Sequence, residues 1–220
     1  MVIVWDFDGP ILSNRKKYHK VLVETLKILE KNSTQFSEDI YWENKRIKMK
    51  ENEFILFENQ NEYDLFNKIR IALIESPYYT KYDSLQYGII NILTELKLKG
   101  FINILLTMRN NSWSLHKQIS NLGIDKYFNM VLNSDNNSGD LGVKAELIEK
   151  NILVNTKINE IIMIGDTEGD LLTANNLNVS CLAVSYGIRT NAYLKSLNPY
   201  KIFDQPSELN DYLRKTYCNS

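Results

Sequence analysis

Five short apolar runs set the limits on what this chain can fold into. They lie at 2–5, Ile102–Thr107, Met130–Asn133, Ile161–Gly165 and 179–184. Each is rich in branched aliphatic residues and too short for a buried helix, so each reads as a strand. The runs stay apolar instead of alternating with polar residues, which is the pattern of strands covered on both faces. Helical spacing fills the gaps, at 87–99, 112–122, 144–151 and 170–177. Strand and helix in alternation predict an α/β fold, a Rossmann-like parallel sheet with helices on both sides.

One stretch breaks the alternation. Between the first and second runs, residues 18–31 carry Val21, Leu22, Leu26 and Leu29 on one helical face. A second helix is expected at 37–48 with Ser37 as its N-cap, and a third at 63–74. Phe54 to Phe57 is ambiguous between strand and coil, and Pro77 with its neighbouring tyrosines reads as a return linker. The reading is a helical domain at 14–83 inserted into a core made of 1–13 and 84–220, with the active site between them. Residues 133–142 read as a loop from their Asn, Ser, Asp and Gly content.

Composition narrows the function classes. With 26 Lys plus Arg against 27 Asp plus Glu, the net charge is −1, without the basic excess of a nucleic-acid binder. No apolar run reaches the ~18 residues of a membrane span, and the first residues lack the pattern of a signal peptide. Cys181 and Cys218 form no metal-spaced pair and are expected as a core residue and a tail thiol. A cytoplasmic protein is expected, with neither nucleic acid nor membrane as partner.

Ligands in an open parallel sheet bind at the carboxyl ends of the strands. Here those ends carry Asp6-Phe7-Asp8-Gly9, Thr107 and Gly165-Asp166, with Asp170 one helical turn further on; Lys144 is expected to open the helix before the fourth strand. A carboxylate can attack phosphorus and divide a hard hydrolysis into two easier steps. A second carboxylate two residues away can give a proton to the leaving oxygen and then take one from water. Carboxylates crowded against a phosphate need a hard divalent cation, for which Asp6 and Asp166 supply oxygens and the turn after the first strand a backbone carbonyl. Lys144 offsets charge on the phosphoryl group, and Thr107 can donate to its oxygens. Asp170 would hold a metal-bound water or orient Lys144.

In this arrangement the sequence resembles the haloacid dehalogenase superfamily. Its four short motifs are met in order by DFDG at 6–9, LLT at 105–107, Lys144, and GDTEGD at 165–170. The insertion between the first two motifs is where the helical-cap type carries its cap. The runs SYGIRTN at 185–191 and FDQPSELNDYL at 203–213 resemble the phosphoglycolate-phosphatase-like and phosphomutase-like branch. The resemblance implies Asp6 as nucleophile, Asp8 as general acid and base, and Thr107 and Lys144 as phosphate ligands. It implies Mg²⁺ held by Asp6, Asp166 and the Asp8 carbonyl, with Asp170 close behind. The expected substrate is a small phosphorylated metabolite and the expected reaction hydrolysis of a phosphomonoester. A sugar phosphomutase is the alternative, and a non-catalytic phospho-ligand-binding protein a further one. Pro10 departs from the Thr or Val usual there; it removes a backbone N–H and any hydroxyl, which bears on how Asp8 is oriented.

Other charged groups read less sharply. His19 and His116 fall within helical patterns. Arg109, two residues past Thr107, fits a contact to substrate or a structural ion pair about equally. Lys45, Arg46, Lys48 and Lys50 read as a solvated face, with a contact to a second anionic group of the substrate as the sharper alternative. Trp42 and the tyrosines of the insertion read as packing.

Overall fold

The structure is a computed structural model and describes residues 1–134 and 141–218, with the side chains of Leu141 and Cys218 outside that description. The chain divides into two compact units, Met1–Leu12 with Leu85–Ser220, and Ser13–Ser84.

The first unit is built on a six-stranded sheet. Its strands are β1 (Val2–Asp6), β2 (Ile102–Thr107), β3 (Met130–Asn133), β4 (Ile161–Gly165), β5 (Ser180–Val184) and β6 (Lys201–Phe203). They lie in the order β3-β2-β1-β4-β5-β6, all parallel. The order reverses at β1, which is bonded to β2 on one side and β4 on the other. The register sets Asp6 beside Leu106, so Asp6 and Thr107 stand at the same end of adjacent strands.

The unbroken apolar runs follow from two buried faces. Ile3 and Trp5 pack with Leu105, Ile162 and Ile164 against Ile89, Ile92 and Leu93 of the helix Ile89–Leu98. Val2 and Val4 point the other way, among Ile104, Leu106, Met163 and Ile148. That is the two-residue period of a strand, with both sets of side chains withdrawn from water. Trp5 buries its indole N–H by donating to Asn103 Oδ1 at 3.0 Å. Cys181 is buried in the second cluster, while Cys218 falls outside the described side chains.

Several boundaries differ from the sequence reading. β6 was not foreseen: it is three residues long with a charged first residue, and its backbone pairing with β5 makes it a strand. The helix expected from Asp170 starts at Glu168, because Thr167 is its N-cap and Asp170 bonds back to it. Most of the loop expected at 133–142 lies outside the described residues. Of its ends, Asn133 closes β3 and Gly142 belongs to the helix Leu141–Ile148. Lys144 therefore sits three residues inside that helix instead of opening it; its ion pairs at the strand ends, described below, suit that position.

The second unit is helical, with Arg15–Ile28, Glu38–Arg46 and Gln60–Ile74 as its main helices. Leu22 and Leu26 are fully buried and pack with Phe36, Tyr41, Ile55 and Phe66. Ser37 caps the second helix by accepting from the Ile40 N–H. Phe54–Phe57 is irregular: Ile55 enters the core while Leu56 is 89% exposed. Pro77 starts a one-turn helix, Pro77–Thr80, in place of the expected linker, since proline is compatible with a helix's first position. Lys45 is not simply solvated: its Nζ meets the buried Glu51 carboxylate at 3.0 Å, which also accepts from the Tyr41 hydroxyl. Trp42 is buried and tilts against Tyr18, in keeping with packing. A buried Lys17–Asp83 pair at 2.8 Å, with the Asn14 amide donating to the same carboxylate at 2.9 Å, joins the two ends of this unit. No helix among the described residues is long and apolar enough to cross a membrane.

Candidate active site

At the carboxyl ends of β1 and β4 three carboxylates and a lysine converge. Asp6, Asp166 and Asp170 are all buried, and each offers an oxygen within 4.8 Å of the others. Lys144 Nζ donates to Asp6 Oδ1 at 2.7 Å and to Asp170 Oδ1 at 2.5 Å, so one buried cation bridges two of the acids. Charge of one sign still exceeds the other. Burial pushes the Asp6 carboxyl up to about 7, opposed by Lys144 and reinforced by Asp170 and Asp8. Asp166 is pushed well above the carboxylate range, first by burial and then by Asp6 and Asp170. Burial works against a charged Lys144, but Asp170 and Asp6 outweigh it and hold the ammonium well above its ordinary value.

The local sequence builds this geometry. Asp170 Oδ2 accepts from the backbone N–H groups of Asp166 and Thr167, at 3.1 and 3.0 Å, and from the Thr167 hydroxyl at 2.7 Å. Both its oxygens are thus engaged, one capping its helix and one holding Lys144. Asp166 Oδ2 accepts from the Ile188 N–H at 2.5 Å. Asp166 Oδ1 has no hydrogen-bond partner although it is buried. Backbone crowds this side chain closely. A Cβ on Gly9 would lie 2.0 Å from Asp166 Oδ2, and Gly9 has φ +117°, so glycine is required there on both counts. A Cβ on Gly187 would lie 2.3 Å from the same oxygen. The Gly9 turn is held by its N–H to Leu12 O at 2.9 Å, and its carbonyl accepts the Gln86 amide at 2.8 Å.

A buried carboxylate oxygen without a donor is unstable unless a cation meets it. The donor set is all oxygen, the preference of a hard divalent ion, and Lys144 alone does not balance three acids. Asp6 and Asp166 therefore fit a magnesium site, with Asp170 serving more to hold Lys144 and the helix start. Asp8 is not part of the cluster. Its carboxylate is turned to Arg109, with Arg109 Nε to Oδ2 at 2.7 Å and Nη2 to Oδ1 at 2.5 Å. Thr107 is buried at the end of β2, where its hydroxyl oxygen faces the Arg109 N–H at 3.4 Å. Arg109, which the sequence reading left balanced, is in the ion pair. Gly187 and Ile188 lie in the run SYGIRTN that the sequence reading quoted without giving either a role, and Gln86 was not singled out at all.

Comparison with known proteins places the chain in a family. The sequence model of the family described as haloacid dehalogenase-like hydrolase matches residues 3–184. The chain belongs to that family. It is 32% identical over 125 residues to a phosphoglycolate phosphatase of Psychrobacter arcticus, a stretch covering 57% of this chain and 54% of that protein. It is 27% identical over 149 residues to the pyrophosphatase PpaX of Bacillus mycoides, covering 67% of this chain and 64% of that protein. These matches thus span a little over half to just under two thirds of the relatives' own lengths. A haloacid dehalogenase-like family hydrolase of Streptococcus pneumoniae superposes with a TM-score of 0.74 over 96% of this chain and 97% of that one, at 22% identity, which speaks for the fold.

Proposed function

We propose that this protein is a magnesium-dependent phosphatase that hydrolyses a small phosphomonoester through an aspartyl-phosphate on Asp6. The observation that carries the reading is the Asp6 carboxylate at the end of β1, 2.7 Å from the Lys144 ammonium and clustered with Asp166, whose buried Oδ1 has no hydrogen-bond partner. The named phosphatase relatives support the same class of chemistry.

In the proposed reaction an Asp6 oxygen attacks phosphorus and the ester P–O bond breaks. Asp8, in its acid form, gives its proton to the leaving alcohol oxygen. Water then attacks the phosphorus of the aspartyl-phosphate, Asp8 takes the water proton, and phosphate leaves as Asp6 is regenerated. Lys144 orients the nucleophile and balances the charge that gathers on the phosphoryl oxygens, and the Thr107 hydroxyl donates to one of them. Asp6, Asp166 and the Asp8 carbonyl would hold Mg²⁺, with Asp170 behind them. When bound, it supplies charge neutralisation that lets an anionic nucleophile approach an anionic ester. The helical unit is the proposed cap of such an enzyme.

Asp6→Asn keeps the shape of the side chain and removes the nucleophile. It is expected to abolish phosphate release from an aryl phosphate in the presence of Mg²⁺, with an unchanged circular dichroism spectrum. Wild-type kcat in this variant would refute the nucleophile assignment. Release of inorganic phosphate, as opposed to an isomerised sugar phosphate, separates hydrolysis from a mutase reaction.

A further inference from the structure

Asp8 rests with its carboxylate held by Arg109. Two nitrogens of Arg109 grip its two oxygens side by side, at 2.7 and 2.5 Å. A carboxylate held this way has both oxygens engaged as acceptors by the guanidinium, and it is not one of the acids that gather with Asp6.

Arg109 is built into its place. Its residue is only 6% exposed, its guanidinium lies over the Phe7 ring at 4.8 Å, and Nη1 donates to Gln118 Oε1. Its carbonyl accepts from Asn133 Nδ2 and Ser134 Oγ, each at 3.2 Å, which pins the backbone to the end of β3. Pro10, two residues past Asp8, brings neither an N–H nor a side-chain donor to the turn. Arg109 follows Thr107 by two residues, at the same strand end. A planar guanidinium fork matches two phosphoryl oxygens as well as it matches a carboxylate.

We propose that Arg109 is a positioning residue for Asp8: it parks the carboxylate in the free enzyme and passes its fork to the phosphoryl oxygens when a phosphomonoester enters. Asp8 is then released to take a proton from solvent and turn toward the ester oxygen. The acid thus becomes available only when a phosphoryl group is present to take its place. This rests on the Asp6 and Asp8 reaction proposed above.

The test is a leaving-group series on the full chain with Mg²⁺. Wild type, Asp8→Asn, Arg109→Ala and Arg109→Lys are compared on substituted phenyl phosphates, from 4-nitrophenyl to phenyl phosphate, and inorganic phosphate is titrated as inhibitor. Asp8→Asn is expected to lose kcat/KM selectively on phenyl phosphate, whose leaving group needs a proton. Arg109→Ala is expected to weaken inhibition by phosphate about tenfold, the scale of a charge-assisted hydrogen bond, and to lower kcat/KM by a similar factor on every ester, because the fork meets phosphoryl oxygens whatever the leaving group. Asp8→Asn, which competes less for the fork, is expected to strengthen inhibition by phosphate, an effect absent from the Asp8→Asn, Arg109→Ala double variant. Arg109→Lys keeps a point charge without the fork, so it is expected to retain part of the phosphate affinity; it also guards against an Ala variant that fails to fold. Unchanged inhibition by phosphate in both Arg109 variants, or inhibition in Asp8→Asn no stronger than in wild type, overturns the proposal. A uniform series in Asp8→Asn, or a wild type inactive on every ester, refutes the underlying reaction instead.

Discussion

Lys144→Met tests the electrostatics of the site directly. The substitution keeps most of the side-chain volume and removes a buried ammonium that lies 2.7 Å from Asp6 and 2.5 Å from Asp170. Side-chain exposure is 9% for Lys144, 9% for Asp6 and 0% for Asp170, so water cannot take over the lost role. Removing one partner from a buried ion pair costs about 3–5 kcal/mol, because the charges left behind have lost their compensation. At about 2–4 °C per kcal/mol for a chain of this size, the expected fall in Tm is roughly 6–20 °C. The assay is thermal unfolding at pH 8 in a chelator, with Lys150→Met as control. Lys150 and Glu146 also pair, at 3.3 Å, but with 73% and 62% of their side chains exposed, and that variant is expected to match wild type. An unchanged Tm in Lys144→Met would show that the three acids do not depend on Lys144 for compensation, and the charge argument would fail.

Two further outcomes follow from the same cluster. Burial raises the folded-state pKa of Asp6 to about 7, from 3.8, so its contribution to stability is fully present below about pH 4 and is lost as pH rises through 7. The chelated wild-type protein is expected to be more stable at pH 5 than at pH 8, with Mg²⁺ restoring stability at pH 8; a flat profile in chelator would refute this. Gly187→Ala places a methyl group 2.3 Å from Asp166 Oδ2, and overpacking of this kind costs about 1–3 kcal/mol. Calorimetric titration with Mg²⁺ is expected to show weaker binding than wild type, and equal affinity would mean that Asp166 has room to move.

The branched apolar runs located five of the six strands of the parallel sheet, because a strand buried on both faces is apolar along its length, and short runs rich in branched residues favour a strand over a helix. The same limit explains the miss: Lys201–Phe203 is short and begins with a charge, and its identity comes from pairing with β5. Helix existence was legible from apolar spacing, as with Leu22 and Leu26, while helix starts were set by caps such as Thr167 with Asp170.

For the site, residue type and order in the sequence were enough to nominate Asp6, Thr107, Lys144, Asp166 and Asp170, since acids at strand ends have few structural uses. Sequence alone also determined the alternation, and hence the α/β class. Only the tertiary structure decided the strand order, with its reversal at β1, because that depends on which of several equally apolar edges pair. It alone decided that Lys144 serves two acids at once, that Asp166 keeps an oxygen without a donor, and that Asp8 faces Arg109 instead of the cluster. Asp8 and Arg109 are 101 residues apart. A charge pair at that separation has no periodicity or spacing to announce it, and it exists because β1 and β2 are neighbours in the sheet.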